Sequence, residues 1–350
     1  KMNIEFIEAI EQIEREKGVS KDILLEALEA SLISAYKKNY GSAQNVAVSI
    51  NRETGESKVF SKKTVTSEVS DPLLEINIED ALAIDPTASL DDIISIEVTP
   101  KRFGRIAAQT AKQVVMQRIR EAERNIIYEE FSGRETDIVT GIVQRFDKKN
   151  IVIDLGKTEV LLPPNEQIPS EKYDQGDRIK VFILEVKRTT KGPQITVSRS
   201  HPGLIKRLFE LEVPEIFDGI VEIKGISREA GSRTKIAVNS KNENVDPVGA
   251  CVGPKGSRVQ AIVDELQGEK IDIVKWDKNT SDYISNSLSP AKVLNVVIEE
   301  NTKTARVLVS DNQLSLAIGK EGQNARLSAK LTGWKIDIKS QGDIETPIQD

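Results

Sequence analysis

The sequence predicts a multidomain α+β chain: an N-terminal α/β domain closed by a long helix, a five-stranded OB-type β-barrel, and two tandem copies of one small α+β unit. Three observations carry this expectation. Apolar residues at helical spacing dominate much of the first 132 residues, the period turns to alternation over 133–200, and one pattern occurs twice in the remainder. A length of 350 residues fits, allowing roughly two to four domains of about 100 to 200 residues each.

In the first domain, 1–132, Ile4, Ile7, Ile10 and Ile13 recur every third residue. Gly18 stops that helix, and Ser20 can cap a second helix bearing Leu24, Leu28, Leu32 and Ala35. Val46, Val48 and Ile50 then alternate, and the turn over 51–55 returns the chain as a hairpin through 58–65, with another strand at 93–98. Over 103–131 Gly104 is the one glycine and proline is absent, while Ala107, Ala111, Val114, Val115, Ile119, Ala122 and Ile126 share a stripe, which predicts a long helix. Arg102, Arg105, Lys112, Arg118, Arg120 and Arg124 lie alongside, and serve equally well as a solvated basic face or a binding one.

The second domain, 133–200, reads as strands over 138–143, 150–155, 158–162, 178–186 and 194–198, with Gly156-Lys157 as a tight turn. Five short strands in so small a span predict a barrel with one curved face open to a nucleic-acid strand, or an inert spacer of the same shape.

Residues 201–276 and 277–345 form the repeat, with 346–350 as a tail. Gly253-Pro254-Lys255-Gly256 leads through Leu266-Gln267-Gly268 to Lys270-Ile271-Asp272-Ile273, and Gly319-Lys320-Glu321-Gly322 leads through Leu331-Thr332-Gly333 to Lys335-Ile336-Asp337-Ile338. The offset falls from 66 to 65 between turn and strand, which places a one-residue change in the intervening helix. Each copy reads as helix, two strands, helix, glycine turn, helix, strand.

Two glycines flanking two residues between short helices leave backbone N–H groups unscreened by Cβ atoms at a helix N-terminus, a site for phosphate oxygens. Lys255 and Lys320 add point charges, and Arg258 and Arg326 sit on the helix that follows. A single such turn is usually only a turn, and its occurrence twice in matched surroundings makes the binding reading the stronger. On that reading both glycines are surface positions, so Gly253→Asp and Gly319→Asp should weaken RNA binding and leave folding intact. Few basic side chains converge on the path, so the salt dependence should be shallow.

Charge and composition exclude other classes. The 49 basic and 55 acidic side chains give a net charge of -6, with 17 and 23 in 1–132, 12 and 10 in 133–200, and 20 and 22 in 201–350. An acidic first third suits a basic protein surface better than phosphate. One cysteine, Cys251, and one histidine, His201, leave no disulfide framework, Cys/His zinc site or Cys–His nucleophile pair, and no cofactor is expected. Cys251 reads as a small buried apolar residue and the His201-Pro202-Gly203 link as packed. Residues 249–257 end in Lys-Gly-Ser instead of the Gly-Lys-Ser of a P-loop. No apolar run reaches the roughly 18 residues of a membrane span, and Met2 to Ile13 carries an acid every third residue where a signal peptide needs an apolar core, so a cytoplasmic protein is expected.

The Gly-Pro-Lys-Gly and Gly-Lys-Glu-Gly turns resemble those of KH domains of the helix-first (type II) topology. The order of barrel and two KH units, behind an α/β domain containing the run Phe103-Gly104-Arg105-Ile106-Ala107-Ala108-Gln109-Thr110-Ala111-Lys112, is similar to the NusA family of bacterial transcription factors. The resemblance covers about residues 2–340, with 245–251 and 314–324 fitting it closely. It implies that the N-terminal domain binds RNA polymerase, that the barrel and KH units receive nascent single-stranded RNA, and that the protein modulates pausing, termination and, with other Nus factors, antitermination. It implies no enzymatic activity and a monomer.

Carried onto this sequence, the RNA-binding positions are Gly253, Pro254, Lys255, Gly256 and Arg258 in the first turn. In the second they are Gly319, Lys320, Glu321, Gly322, Gln323, Asn324 and Arg326, with Arg145 and Phe146 on the barrel. Arg102, Phe103 and Arg105 are the expected polymerase contacts. The barrel departs from the ribosomal S-one type, because Leu161-Leu162-Pro163-Pro164 stands where a His-bearing segment is usual and aromatics make up 4% of the chain. Weak RNA binding by the barrel follows. An RNA-processing subunit, or an RNA chaperone on a ribosome, is the alternative.

Overall fold

The computed structural model describes residues 4–40 and 45–342, so the expected tail at 346–350 lies outside the described residues. The chain divides into two compact units, Lys1–Ile127 and Tyr128–Asp350.

In the first unit, helices α1 (Ile4–Lys17) and α2 (Lys21–Tyr40) pack on a four-stranded sheet. Strand β2 (Ser57–Thr66) is its centre, antiparallel to β1 (Val46–Ile50) and β4 (Ile93–Glu97) and parallel to the short β3 (Glu75–Asn77). Between β3 and β4 lies α3 (Ile78–Ile84), capped by the Asn77 side chain accepting from the Glu79 N–H at 3.0 Å. The core joins Ile7, Ile10, Leu24, Leu25, Leu28 and Leu32 to Val46, Val48, Ile50 and Val59, and to the start of the long helix α4 (Phe103–Ser132). On α4, Ala107 and Ala111 are buried, but Ile126 on the same predicted stripe is exposed. Phe103 is fully buried, edge-on to Tyr36 at 6.0 Å, so its side chain has no surface to offer a polymerase.

The second unit begins with strands β5 (Ile138–Asp147), β6 (Asn150–Asp154), β7 (Glu159–Leu162), β8 (Arg178–Thr189) and β9 (Gly192–Ser198). They close into a barrel in the order β5-β6-β7-β9-β8. Alternate residues such as Val143, Ile153, Leu162, Val181 and Val197 fill its interior. The seam between β7 and β9 is parallel and is pinned by a single pairing, Leu161 with Thr196.

The first repeat follows: α5 (Pro202–Glu212), α6 (Pro214–Phe217), β10 (Val221–Glu229), β11 (Arg233–Ser240), α7 (Pro247–Val252), α8 (Ser257–Glu265) and β12 (Lys270–Lys275). The second is α9 (Thr280–Ser287), β13 (Val293–Glu299), β14 (Thr304–Val309), α10 (Asp311–Ile318), α11 (Gln323–Thr332) and β15 (Lys335–Ser340). In both, the middle strand is antiparallel to the first and parallel to the third, and the first strand carries a bulge at the same place. The one-residue difference sits at the helix exit. The Gly268 N–H reaches back five residues to the Val263 carbonyl, with Gln267 at φ 51°, whereas the Gly333 N–H reaches back four to Ala329.

Barrel and first repeat are joined by buried charge. Arg199 is bidentate to Glu171 at 2.5 and 2.9 Å and also donates to the Lys180 carbonyl and to Glu265. Arg228 is bidentate to Glu269 and donates to the carbonyls of Arg199 and His201. His201 stacks on Phe182 at 4.9 Å and caps α5 by accepting from the Gly203 N–H, so the link between domains is packed.

Candidate nucleic-acid interface

The two glycine turns have one geometry. Gly253 has φ 71° and ψ 176°, and Gly319 φ 78° and ψ 170°, a region essentially closed to side-chain-bearing residues. The third residue of each is left-handed, Lys255 at φ 52° and Glu321 at φ 53°, followed by left-handed Gly256 and Gly322 at φ 79° and 74°. Each turn closes on itself, the last glycine's N–H donating to the first glycine's carbonyl at 3.1 Å. The chain then enters α8 or α11, whose N-terminus faces the turn. Pro254 removes one N–H from the first turn, so the second presents one donor more.

The first glycine of each turn admits the following helix. A Cβ on Gly319 would lie 2.7 Å from the Asn324 backbone nitrogen, and one on Gly253 would lie 2.6 Å from Cγ of Arg258. These glycines are therefore packing positions as well as turn positions, and the expectation that Asp could replace them with the fold intact is overturned. Gly256 and Gly322 have no close neighbour where a Cβ would project.

The predicted side chains divide into groups. Lys255 and Lys320 are exposed at the turn tips, as are Pro254 and Glu321. Arg258 lies beneath the first turn, donating to Glu215 at 2.9 Å and to the Ala250 carbonyl at 2.6 Å. Asn324 is buried, and its amide donates to the carbonyls of Leu288 and Ala317 at 3.0 Å, which ties the second turn to the repeat's core.

Gln323 and Arg326 bridge the repeats. Gln323 donates to Glu229 and Ser232 of the first repeat at 2.9 and 2.7 Å, and Arg326 donates to Glu229 at 2.6 Å. The Arg326 guanidinium holds the Glu229 carboxyl below the usual carboxylate range. On the barrel, Arg145 is bidentate to Glu159 at 2.9 and 2.7 Å, and Phe146 beside it is 54% exposed. Arg102, in the turn before α4, and Arg105, in its first turn, are exposed on either side of buried Phe103.

A cleft of about 340 Å³ opens between the repeats, lined by Ser232, Arg233 and Lys270 of the first and by Gly319, Lys320, Gln323 and Asn324 of the second. Arg233 and Lys270 are lining residues of this cleft that reading the repeat alone does not indicate. Lys270 was visible as a shared repeat position, but nothing local places it beside the other copy's turn. Arg233 is oriented by a bidentate pair with Asp272 at 2.7 and 2.8 Å, and Asp272 also accepts from fully buried Lys235 at 2.9 Å. Cys251 packs in the first repeat's core, and burial pushes its thiol up to about 12, which excludes it as a nucleophile.

Comparison with known proteins reproduces the same four parts. Residues 5–125 match the NusA N-terminal domain, 134–198 the S1 RNA binding domain, 199–276 the NusA-like first KH domain and 280–346 the NusA-like second KH domain. The transcription termination/antitermination protein NusA of Bacillus subtilis is 63% identical over 342 residues, covering 98% of this chain and 92% of that protein. The chain belongs to the NusA family.

The protein of the same name from Halalkalibacterium halodurans is 62% identical over 344 residues, covering 98% of this chain and 90% of its own. Among solved structures, the solution structure of the N-terminal domain of NusA from B. subtilis is 60% identical, covers 34% of this chain and 97% of its own, and has a TM-score of 0.32. The barrel is thus the S1-type (OB-type) module of a NusA protein and the repeats are its two KH domains.

Proposed function

We propose that this protein is a non-enzymatic, monomeric and cytoplasmic transcription elongation factor. Residues 1–132 bind RNA polymerase, with Arg102 and Arg105 as contacts, and the barrel and KH units hold nascent single-stranded RNA. The complex, with other Nus factors, modulates pausing, termination and antitermination. The observation that carries the RNA part is the pair of glycine turns in one conformation, each presenting an exposed lysine, Lys255 or Lys320, at the start of a helix. The polymerase part is supported by membership of a family whose relatives are named termination/antitermination proteins and by the acidic charge of the first third.

The test is a reconstituted elongation complex to which the full chain is added. Pause lifetime and terminator read-through should change on addition, Lys255→Ala with Lys320→Ala should diminish the change without lowering the melting temperature, and Arg102→Ala with Arg105→Ala should weaken co-sedimentation with core polymerase. A full chain that neither co-sediments nor alters pausing would refute the reading and favour a ribosomal or RNA-processing partner.

A further inference from the structure

The two KH units share a fold and differ in what covers them. Bulge and strand pairing fix the equivalences: Gly225 corresponds to Asn295, Ser227 to Val297, Glu229 to Glu299, Lys235 to Arg306, Ala237 to Leu308 and Asp272 to Asp337. Alternation along a strand puts these six on the sheet face away from each unit's own helices.

In the first unit that face is sealed. Residues 234–238 of β11 are buried without interruption, so the strand is covered on both sides. The cover is the second unit: α11 lies over β10 and β11, and Leu331 sits against Gly225, where a Cβ would come within 3.3 Å of it. Glu229 receives Gln323 and Arg326, and Lys235 donates to the Ser289 carbonyl at 2.8 Å.

In the second unit the same face is open among the described residues. Strand β14 alternates between buried and accessible positions, Val297 is 52% exposed where Ser227 is 4%, and the Arg306 side chain is 62% exposed where that of Lys235 is 0%. Leu294, on the bulge, is also exposed. Glu299, lacking an incoming arginine, pairs with Arg306 at 2.8 Å.

We propose that the outer face of the second KH sheet is a docking surface for an amphipathic helical segment of a partner protein, seated as α11 is seated on the first KH sheet. The chemistry of the occupant follows from the equivalent interface. It carries a basic side chain to take Glu299, an apolar side chain to cover Val297, and a backbone carbonyl to receive Arg306. Asn295 stands where Gly225 admits Leu331, so the occupant has a small residue at that position, and a second copy of α11 fits less well. Among the six positions Glu299 and Asp337 outnumber the one cation, Arg306, so they suit protein rather than the phosphates of RNA. This surface is separate from the glycine turns and does not depend on the function proposed above.

Thiol labelling tests it. Cys251 is the chain's one cysteine and is fully buried, so Val297→Cys supplies a single reactive thiol. In the free full chain this thiol should react with a maleimide as fast as an exposed cysteine. A stapled helical peptide covering Gln323–Gly333 with Leu331→Ala, at saturation, should slow the reaction at least tenfold. The peptide retaining Leu331 should protect less, and Glu299→Ala in the chain should reduce protection severalfold. A second probe appends another copy of residues 276–340 after residue 340, repeating the connection between the two KH units, with Leu331→Ala in the appended copy. Slow labelling of the free chain overturns the proposal, as does failure of both probes. Protection by a single-stranded RNA in their place also overturns it and assigns the face to nucleic acid.

Discussion

Arg326 of the second KH unit reaches across to Glu229 of the first, Nε to Oε1 at 2.6 Å, from the first turns of the helix that leaves the second glycine turn. The pair is partly exposed, and solvent-screened pairs of this kind contribute little to stability. Its position matters more, because a carboxylate beside the proposed phosphate site would compete for the same guanidinium. Glu229→Gln should leave the melting temperature within a few degrees of wild type and raise affinity for single-stranded RNA about threefold, a gain that disappears in high salt; titration by fluorescence anisotropy at two salt concentrations reads both.

The glycines of one turn should differ in what they tolerate. Gly319→Ala puts a Cβ against the Asn324 backbone in a conformation that side chains avoid, which should cost about 1–3 kcal/mol of stability. Gly322→Ala meets only the Arg326 guanidinium, at an ordinary 3.9 Å, and carries little beyond the left-handed penalty, about 1 kcal/mol. Urea unfolding of the two variants gives the order directly.

Lys320 and Lys255 should act as point charges on phosphate. Each lysine-to-alanine change should weaken binding similarly for all RNA sequences and make the log–log salt slope shallower by about 0.7, the value for one phosphate contact on a single strand. A larger change for one sequence than for another would instead make that lysine a base contact.

Asp272 ties the interface to pH. Burial raises its pKa, but hydrogen bonds from Arg233 and Lys235 outweigh this and hold it below 3.8. A carboxylate with a depressed folded pKa contributes stability that is present above its unfolded value and is lost as pH falls through the folded one. Asp272→Asn should therefore cost about 3 kcal/mol near neutral pH, because Lys235 is left buried without its counter-charge, and should flatten the loss of stability below about pH 4. Urea midpoints at neutral and acid pH check both parts.

The barrel was legible because its strands alternate and Gly156 marks the hairpin, where it adopts φ 91°. The repeat was legible because Lys-Ile-Asp-Ile and the glycine pairs recur at nearly constant offset. Helix α3 and strand β3 were not, since three strand residues and seven helical ones are too short for a period to emerge. At the site, the turn geometry could be read from glycine spacing. The roles of Gln323, Arg326 and Arg258 could not, because each is set by a carboxylate 43 to 97 residues away that only the tertiary fold brings near. Phe103 misled for a related reason: the motif that marks the family sits at a helix start whose aromatic side chain serves the core.

The added residue at the exit of α8 gives the repeats separate identities. Gln267, held at φ 51°, accepts from the Lys172 N–H and donates to the Lys172 carbonyl, both at 2.8 Å, and so clasps the barrel. The second copy, one residue shorter there, has no counterpart of that clasp among the described residues and instead sets its helix on the first copy. A duplicated module has thus acquired a fixed place in line: exchanging the two copies would leave the barrel unlatched at one end and strand an unanswered helix at the other, so order in the gene has become order in the assembly.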